Sequence, residues 1–236
     1  MGVIAGVNAV NDGLIFTIDA ANFRSYSGSG NTANGLIGGI GGTLVNGVGF
    51  GTTNNGYFIF DGTNDYIEVS DSNLLAFGTN PFTIDFWLYS TYIYPGSGTI
   101  YRTILSNYLD YQGVFATFFY LGLFNNGSTL INFVSFLNSS SGNLMGSLGA
   151  NINANEWTNV NFTRSGDNLI CYKNGVLVST VVSTNNFSGT RNARIGGGVA
   201  SVNTFQGSLP SFKIYNRALS AAEVRQNYNS AKKRYI

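Results

Sequence analysis

Glu156-Trp157-Thr158-Asn159-Val160-Asn161-Phe162-Thr163-Arg164, running on through Leu169-Ile170-Cys171-Tyr172-Lys173 to Asn174-Gly175, decides the fold of this chain. A tryptophan opens one strand, the chain turns back into a second, and Asn174-Gly175 starts a tight hairpin. Asn-Gly is the strongest short signal for a type I′ turn, because both central residues must take positive φ. The expectation is antiparallel sheet, with Trp157 largely buried in a sandwich interior.

Outward from this block, short β-type runs recur between turn residues: Leu14–Asp19, Tyr57–Asp61, Tyr66–Val69, Phe82–Tyr89, Thr99–Leu105, Val114–Leu123, Leu130–Leu137, Ala193–Ile195 and Ser211–Tyr215. With Trp157–Arg164, Leu169–Lys173 and Val176–Val182, that spacing predicts an all-β, two-sheet antiparallel sandwich. In the Phe82 run, Phe82, Ile84, Phe86 and Leu88 fall on one face and would meet the core, while Thr83 and Asp85 face away and Trp87 breaks the polar set. Between Ala20 and Gly56 the chain is dominated by Gly, Asn, Ser and Thr, and reads as a long surface loop within a single domain spanning 1–236. A short α-helix is predicted at 220–232, where Ser220-Ala221-Ala222-Glu223 makes a capping box and Val224, Tyr228 and Ala231 an apolar stripe.

Charged residues make up 10% of the chain, against roughly 25% in an average soluble domain. Recognition therefore has to run through hydrogen bonds and aromatic faces rather than a strong field. A net charge of +1 with no basic stripe argues against a nucleic-acid partner. Cys171 is the single cysteine and sits on a strand face, so it reads as a small buried apolar residue and no disulfide framework exists. Met1 to Asp19 has no basic residue, which does not make a secretory signal. No run approaches the ~18 apolar residues of a spanning helix, so membrane insertion is not expected.

Two surface candidates follow from the residues alone. Tyr108 and Tyr111, with Asn107 between the strands, could offer a glycan aromatic faces beside planar polar groups. In Val114–Phe124 both parities are apolar: Ala116, Phe118 and Tyr120 on one side, Phe115, Phe119, Leu121 and Leu123 on the other. A loop, the terminal helix or another subunit has to cover the second row. Without intramolecular cover, Phe115, Phe119 and Leu121 would form a subunit contact.

Four blocks carry a family likeness: Leu14–Gly30 with its D-A-A-N and S-Y-S-G-S-G, Phe58-Ile59-Phe60-Asp61-Gly62 running to Asp65-Tyr66-Ile67, Trp157–Val178, and Phe205-Gln206-Gly207-Ser208 with Ile214–Ser220. Together they resemble the concanavalin A-like, laminin-G-type jelly-roll superfamily. The first block is similar to the version found in structural proteins of tailed bacteriophages. The resemblance implies a jelly roll acting as a non-enzymatic interaction module. That module would be a virion component assembled in a host cytoplasm, a capsid decoration, cement or fibre protein that binds other virion subunits or itself and meets surface carbohydrate. The alternative is a free-standing, calcium-dependent carbohydrate-binding lectin.

Glycanases of this superfamily carry E-x-D-x-x-E, which sets two carboxyl groups about 5–5.5 Å apart. The glutamates here are Glu68, Glu156 and Glu223, none with a second nearby, and histidine is absent. An enzyme is therefore not expected. No cofactor is certain, but the superfamily implies calcium, held by oxygens. Asp110, in the loop region that carries the ion in the pentraxin branch, Asp61, which also reads as part of a plain hairpin turn, and Asp19 are the candidate ligands.

Overall fold

Strands that alternate apolar and polar residues need a second layer to bury the apolar rows. The computed structural model describes residues 8–92, 100–107, 119–125, 133–137, 144–147, 151–198 and 204–236, and in them that second layer is another antiparallel sheet. In chain order the strands are β1 (Leu14–Asp19), β2 (Thr32–Ala33), β3 (Gly42–Val45), β4 (Gly49–Gly51), β5 (Tyr57–Asp61), β6 (Tyr66–Val69), β7 (Phe82–Ser90), β8 (Ile100–Ser106) and β9 (Tyr120–Asn125). There follow β10 (Phe133–Leu137), β11 (Leu144–Ser147), β12 (Trp157–Ser165), β13 (Asn168–Lys173), β14 (Val176–Val182), β15 (Ala193–Ile195), β16 (Gln206–Leu209), β17 (Ser211–Tyr215) and helix α1 (Ala221–Ala231). The larger sheet runs β14-β13-β12-β7-β16-β5-β4, with β17 also against β7 and β1 outside β17. The smaller runs β11-β10-β9-β8-β15-β6-β3-β2.

The expected core row of β7 is in place: Phe82, Ile84, Phe86 and Leu88 are all buried, opposite Ile67, Val69, Leu105 and Leu121 of the smaller sheet. Each such side chain contributes about 1.5–3 kcal/mol of burial. Phe82 stacks on Phe77 at 4.1 Å between ring centroids and meets Phe119 and Phe187 edge-on. Phe119 and Leu121, expected at a subunit contact, are thus fully buried by their own chain, and Phe115 lies outside the described residues. The facing sheet covers the Phe119, Leu121 and Leu123 row of that strand, while Ala116 and Phe118 of the other row lie outside the described residues.

The other face of the larger sheet is also covered. Thr83, Asp85 and Trp87 are buried there beneath α1 and the C-terminal tail. Asp85 accepts hydrogen bonds from the side-chain amides of Asn159 and Asn227, both at 2.8 Å, and has the Lys213 ammonium 4.0 Å away. A buried carboxylate is tolerated when its oxygens are hydrogen-bonded in this way. Trp87 lies between Tyr228 and Tyr235, at 5.7 and 4.4 Å. Trp157 belongs to this outer row and not to the sandwich interior: it is half-buried, paired with Tyr89 and packed on Tyr57 and Tyr235. Val160 and Phe162 take the core positions of β12, which leaves Trp157, Asn159 and Asn161 to the opposite side.

The stretch 20–56 is not a plain loop. It contains β2, β3 and β4, and Ala33, Leu44 and Val48 from it are buried. These strands are too short to read locally and exist because β6 and β5 offer them edges. At the other end, Ser220 Oγ accepts from the Glu223 N–H and Glu223 accepts from the Ser220 N–H, which is the capping box expected. Arg217 also grips the Glu223 carboxylate with two N–H groups, and this pair, with the cap, holds its pKa down to about 2. Burial pushes the Cys171 thiol up to about 12, so it is neutral and unreactive.

Asn174 and Gly175 take φ of 52° and 75°, as a type I′ turn requires. A Cβ on Gly175 would also stand 3.1 Å from Tyr228 Cβ. Gly175→Val is expected to lose about 2–3 kcal/mol of unfolding free energy in denaturant titration. An unchanged midpoint would contradict the hairpin geometry.

Candidate functional site

β6 reads Tyr66-Ile67-Glu68-Val69, and the period of two buries Ile67 and Val69 completely. Tyr66 and Glu68 are therefore presented on the opposite face of the smaller sheet. β15, Ala193-Arg194-Ile195, does the same and turns Arg194 outward. Registers align these residues in one row across five strands: Thr43 faces Glu68, Glu68 faces Arg194, Arg194 faces Ser106 and Ser106 faces Tyr120. The neighbouring row, Leu44, Ile67, Ile195, Leu105 and Leu121, is core.

The row has two halves. Ser106 and Tyr120 are buried, and the Tyr120 ring lies over Gly122, where a Cβ would stand 2.7 Å from its hydroxyl oxygen. The other half is open. Glu68 pairs with Arg194 at 3.4 Å, with the two side chains 31% and 22% exposed. Asn192 donates its amide to the second Glu68 oxygen at 3.2 Å. Arg194 lies 4.1 Å over the Tyr66 ring and donates to the Gly198 carbonyl. Carboxylate, guanidinium, amide and phenol ring thus converge on one half-exposed patch. Such a set offers acceptors and donors at hydroxyl-recognition spacing, beside an aromatic surface. A buffered ion pair of this kind adds little stability. Its geometry is what it supplies.

The residues expected at a site fall elsewhere. Asn107 is buried; its amide nitrogen donates to the Gly189 carbonyl and its oxygen accepts from the Phe119 N–H, so it is a structural clamp and not a glycan contact. Tyr108, Asp110 and Tyr111 lie outside the described residues. Asp19 accepts from the Ala21 N–H and forms an ion pair with Arg234 at 2.8 Å, so a guanidinium occupies the place a cation would take. Asp61 accepts from the Thr63 N–H at 2.7 Å inside the β5–β6 hairpin, where Gly62 has φ of 81°. Its turn neighbour Asp65 is buried, and desolvation raises its pKa. Among the described residues, no three Asp, Glu, His or Cys side chains gather into a metal site.

The family model described as the concanavalin A-like lectin/glucanases superfamily matches residues 61–225. The chain belongs to that superfamily. No curated protein matches the sequence. Among solved structures it is similar to domain 4 of AbnA, a GH43 extracellular arabinanase from Geobacillus stearothermophilus, in complex with arabinotriose. The two share 17% identity over 91% of this chain and 98% of that domain, with a TM-score of 0.66. The binding domain of Paraclostridial Mosquitocidal Protein 1 is 18% identical over 93% of this chain and 52% of its own, with a TM-score of 0.68. Trypanosoma rangeli sialidase in complex with sialic acid is 15% identical over the whole of this chain and 36% of its own, with a TM-score of 0.65. Likeness at this level shows the superfamily's fold. The chain covers only part of the toxin and sialidase chains.

The Arg234–Asp19 pair gives a direct check on metal dependence. Asp19→Asn is expected to lower stability by about 1 kcal/mol, equally in chelator and in millimolar calcium, measured by thermal melts. A calcium-induced rise in melting temperature that disappears in the variant would contradict the pairing as its role.

Proposed function

We propose that the chain is a non-enzymatic binding module that holds surface carbohydrate through the Tyr66, Glu68, Asn192 and Arg194 face. The observation that carries this reading is the open half of the cross-strand row, where donors and acceptors are already fixed in place by one another. Preorganised polar groups of this sort lose little freedom when a polyol displaces water from them. The superfamily assignment, and the likeness to a domain solved with arabinotriose, support the same ligand class.

Hydrolysis is disfavoured by what the glutamates do. Glu68 is committed to Arg194 and Asn192, Glu156 accepts from Asn153 at 2.9 Å, and Glu223 caps α1. Among the described residues, the partners that hold these three carboxylates are amides, guanidinium groups and a helix cap, not the second carboxyl group of a retaining pair. A place in a bacteriophage virion, as decoration, cement or fibre component, draws on the resemblance of Leu14–Gly30. The burial of Phe119 and Leu121 withdraws the physical argument for subunit partners at that strand.

Screened on an array of surface glycans, the protein is expected to retain at least one. Arg194→Leu should weaken that binding about tenfold or more, roughly 1.4 kcal/mol, while the fold persists by circular dichroism. No reducing sugar should be released from any retained glycan. Unchanged affinity in Arg194→Leu would move the site elsewhere, and turnover abolished by Glu68→Gln would make the protein an enzyme.

A further inference from the structure

A second polar site lies on the opposite side of the sandwich. Where α1 ends against the outer face of the larger sheet, a cavity of about 540 Å3 opens. That is within the range of roughly 300–1,000 Å3 typical of small-ligand pockets. Its floor is β1 and β17, which bring Asp19 and Ser211 side by side and place Lys213 one pleat further along. Lys233 and Arg234 come from the turn after α1, and Asn55 from a turn whose Asn54 and Asn55 both take left-handed φ, 51° and 66°.

The hydrogen-bond inventory of these groups is lopsided. Arg234 is spent: it donates to Asn54 and Gly56 carbonyls and to Asp19. Lys213 is not. Its side chain is 16% exposed, and it forms an ion pair with Asp85 at 4.0 Å, a charge contact beyond hydrogen-bond reach. Asp85 itself is already served by two amides. Lys233 is exposed on the rim, and among the described residues no hydrogen bond reaches either ammonium. Two lysines therefore hold up to six unspent N–H donors around one cavity, against one unspent oxygen on Asp19. Ammonium N–H groups that make no hydrogen bond within the protein can turn to an acceptor-rich anion, and such charge-assisted bonds are among the strong ones.

We propose that this cavity is a binding site for an oxyanion group, carboxylate or sulfate, carried on a sugar ring. The anion would sit between Lys213 and Lys233, and Ser211, Asn55 and the free Asp19 oxygen would meet ring hydroxyls. This site is separate from the Arg194 face, and either can fail without the other.

The test is titration calorimetry of the intact chain with glucuronate, glucose 6-sulfate, glucose and inorganic sulfate. One or both sugar anions are expected to bind, glucose is not, and inorganic sulfate should bind at least several-fold more weakly than the sugar sulfate. Lys233→Met, on an exposed residue that cannot cost the fold, should weaken the sugar anion about tenfold. Lys213→Met should do the same and Lys213→Arg should restore most of it, while glycan retention through Arg194 is unchanged in all three. Glucose binding as tightly as its anions would overturn the proposal, as would sulfate matching the sugar sulfate, no saturable binding, or full affinity in Lys233→Met.

Discussion

The side-chain period of two along β6, β15, β8 and β9 is the constraint on which the rest of this molecule depends. Ile67, Ile195, Leu105 and Leu121 align into one buried row, and that row fixes the register of four strands at once. A slip of one residue would place Glu68 and Arg194 in the core and expose Ile67 and Ile195, at a cost of several kcal/mol per buried charge. The proposed binding face is thus a by-product of core packing. Its backbone placement is set by the core register, which is what a site needs when it recognises weakly interacting hydroxyls.

The two sheets use their outer faces differently. On the larger sheet the polar side of β7 and β12 is sealed by α1 and the tail, with Asp85 hydrogen-bonded to Asn159 and Asn227 and Trp87 held between Tyr228 and Tyr235. Arg234 locks that tail down through Asp19 and two carbonyls. Where α1 ends the seal opens into a cavity lined by Lys213, whose ammonium stays 4.0 Å from Asp85. On the smaller sheet the Tyr66–Arg194 half stays uncovered. The two proposed sites lie where packing over the polar rows stops short.

Local signals in the sequence were reliable where the structure is local. Asn174-Gly175 and the Ser220/Glu223 box depend on three or four consecutive residues, and both form as expected. Trp157 misled for an instructive reason: its bulk suggested the core, although the alternation of Val160 and Phe162 already assigned it to the other face. Asn107 looked like an available loop amide because nothing in its neighbours reveals that Gly189 and Phe119 consume it. The proposed binding face is the least legible element. Glu68 and Arg194 are 126 residues apart, and only the assembled sheet brings them together. The strands within 20–56 were hidden likewise, since their order comes from partners and not from propensity.

Carbohydrate is proposed to meet the open half of the smaller sheet's outer face. The direct measurement is an amide chemical-shift map of the protein titrated with a glycan it retains. Shifts are expected to concentrate at Tyr66, Glu68, Asn192, Arg194 and Thr43, leaving β12 to β14 and α1 unperturbed. Shifts confined to the larger sheet or the helix, with this row silent at saturation, would contradict it.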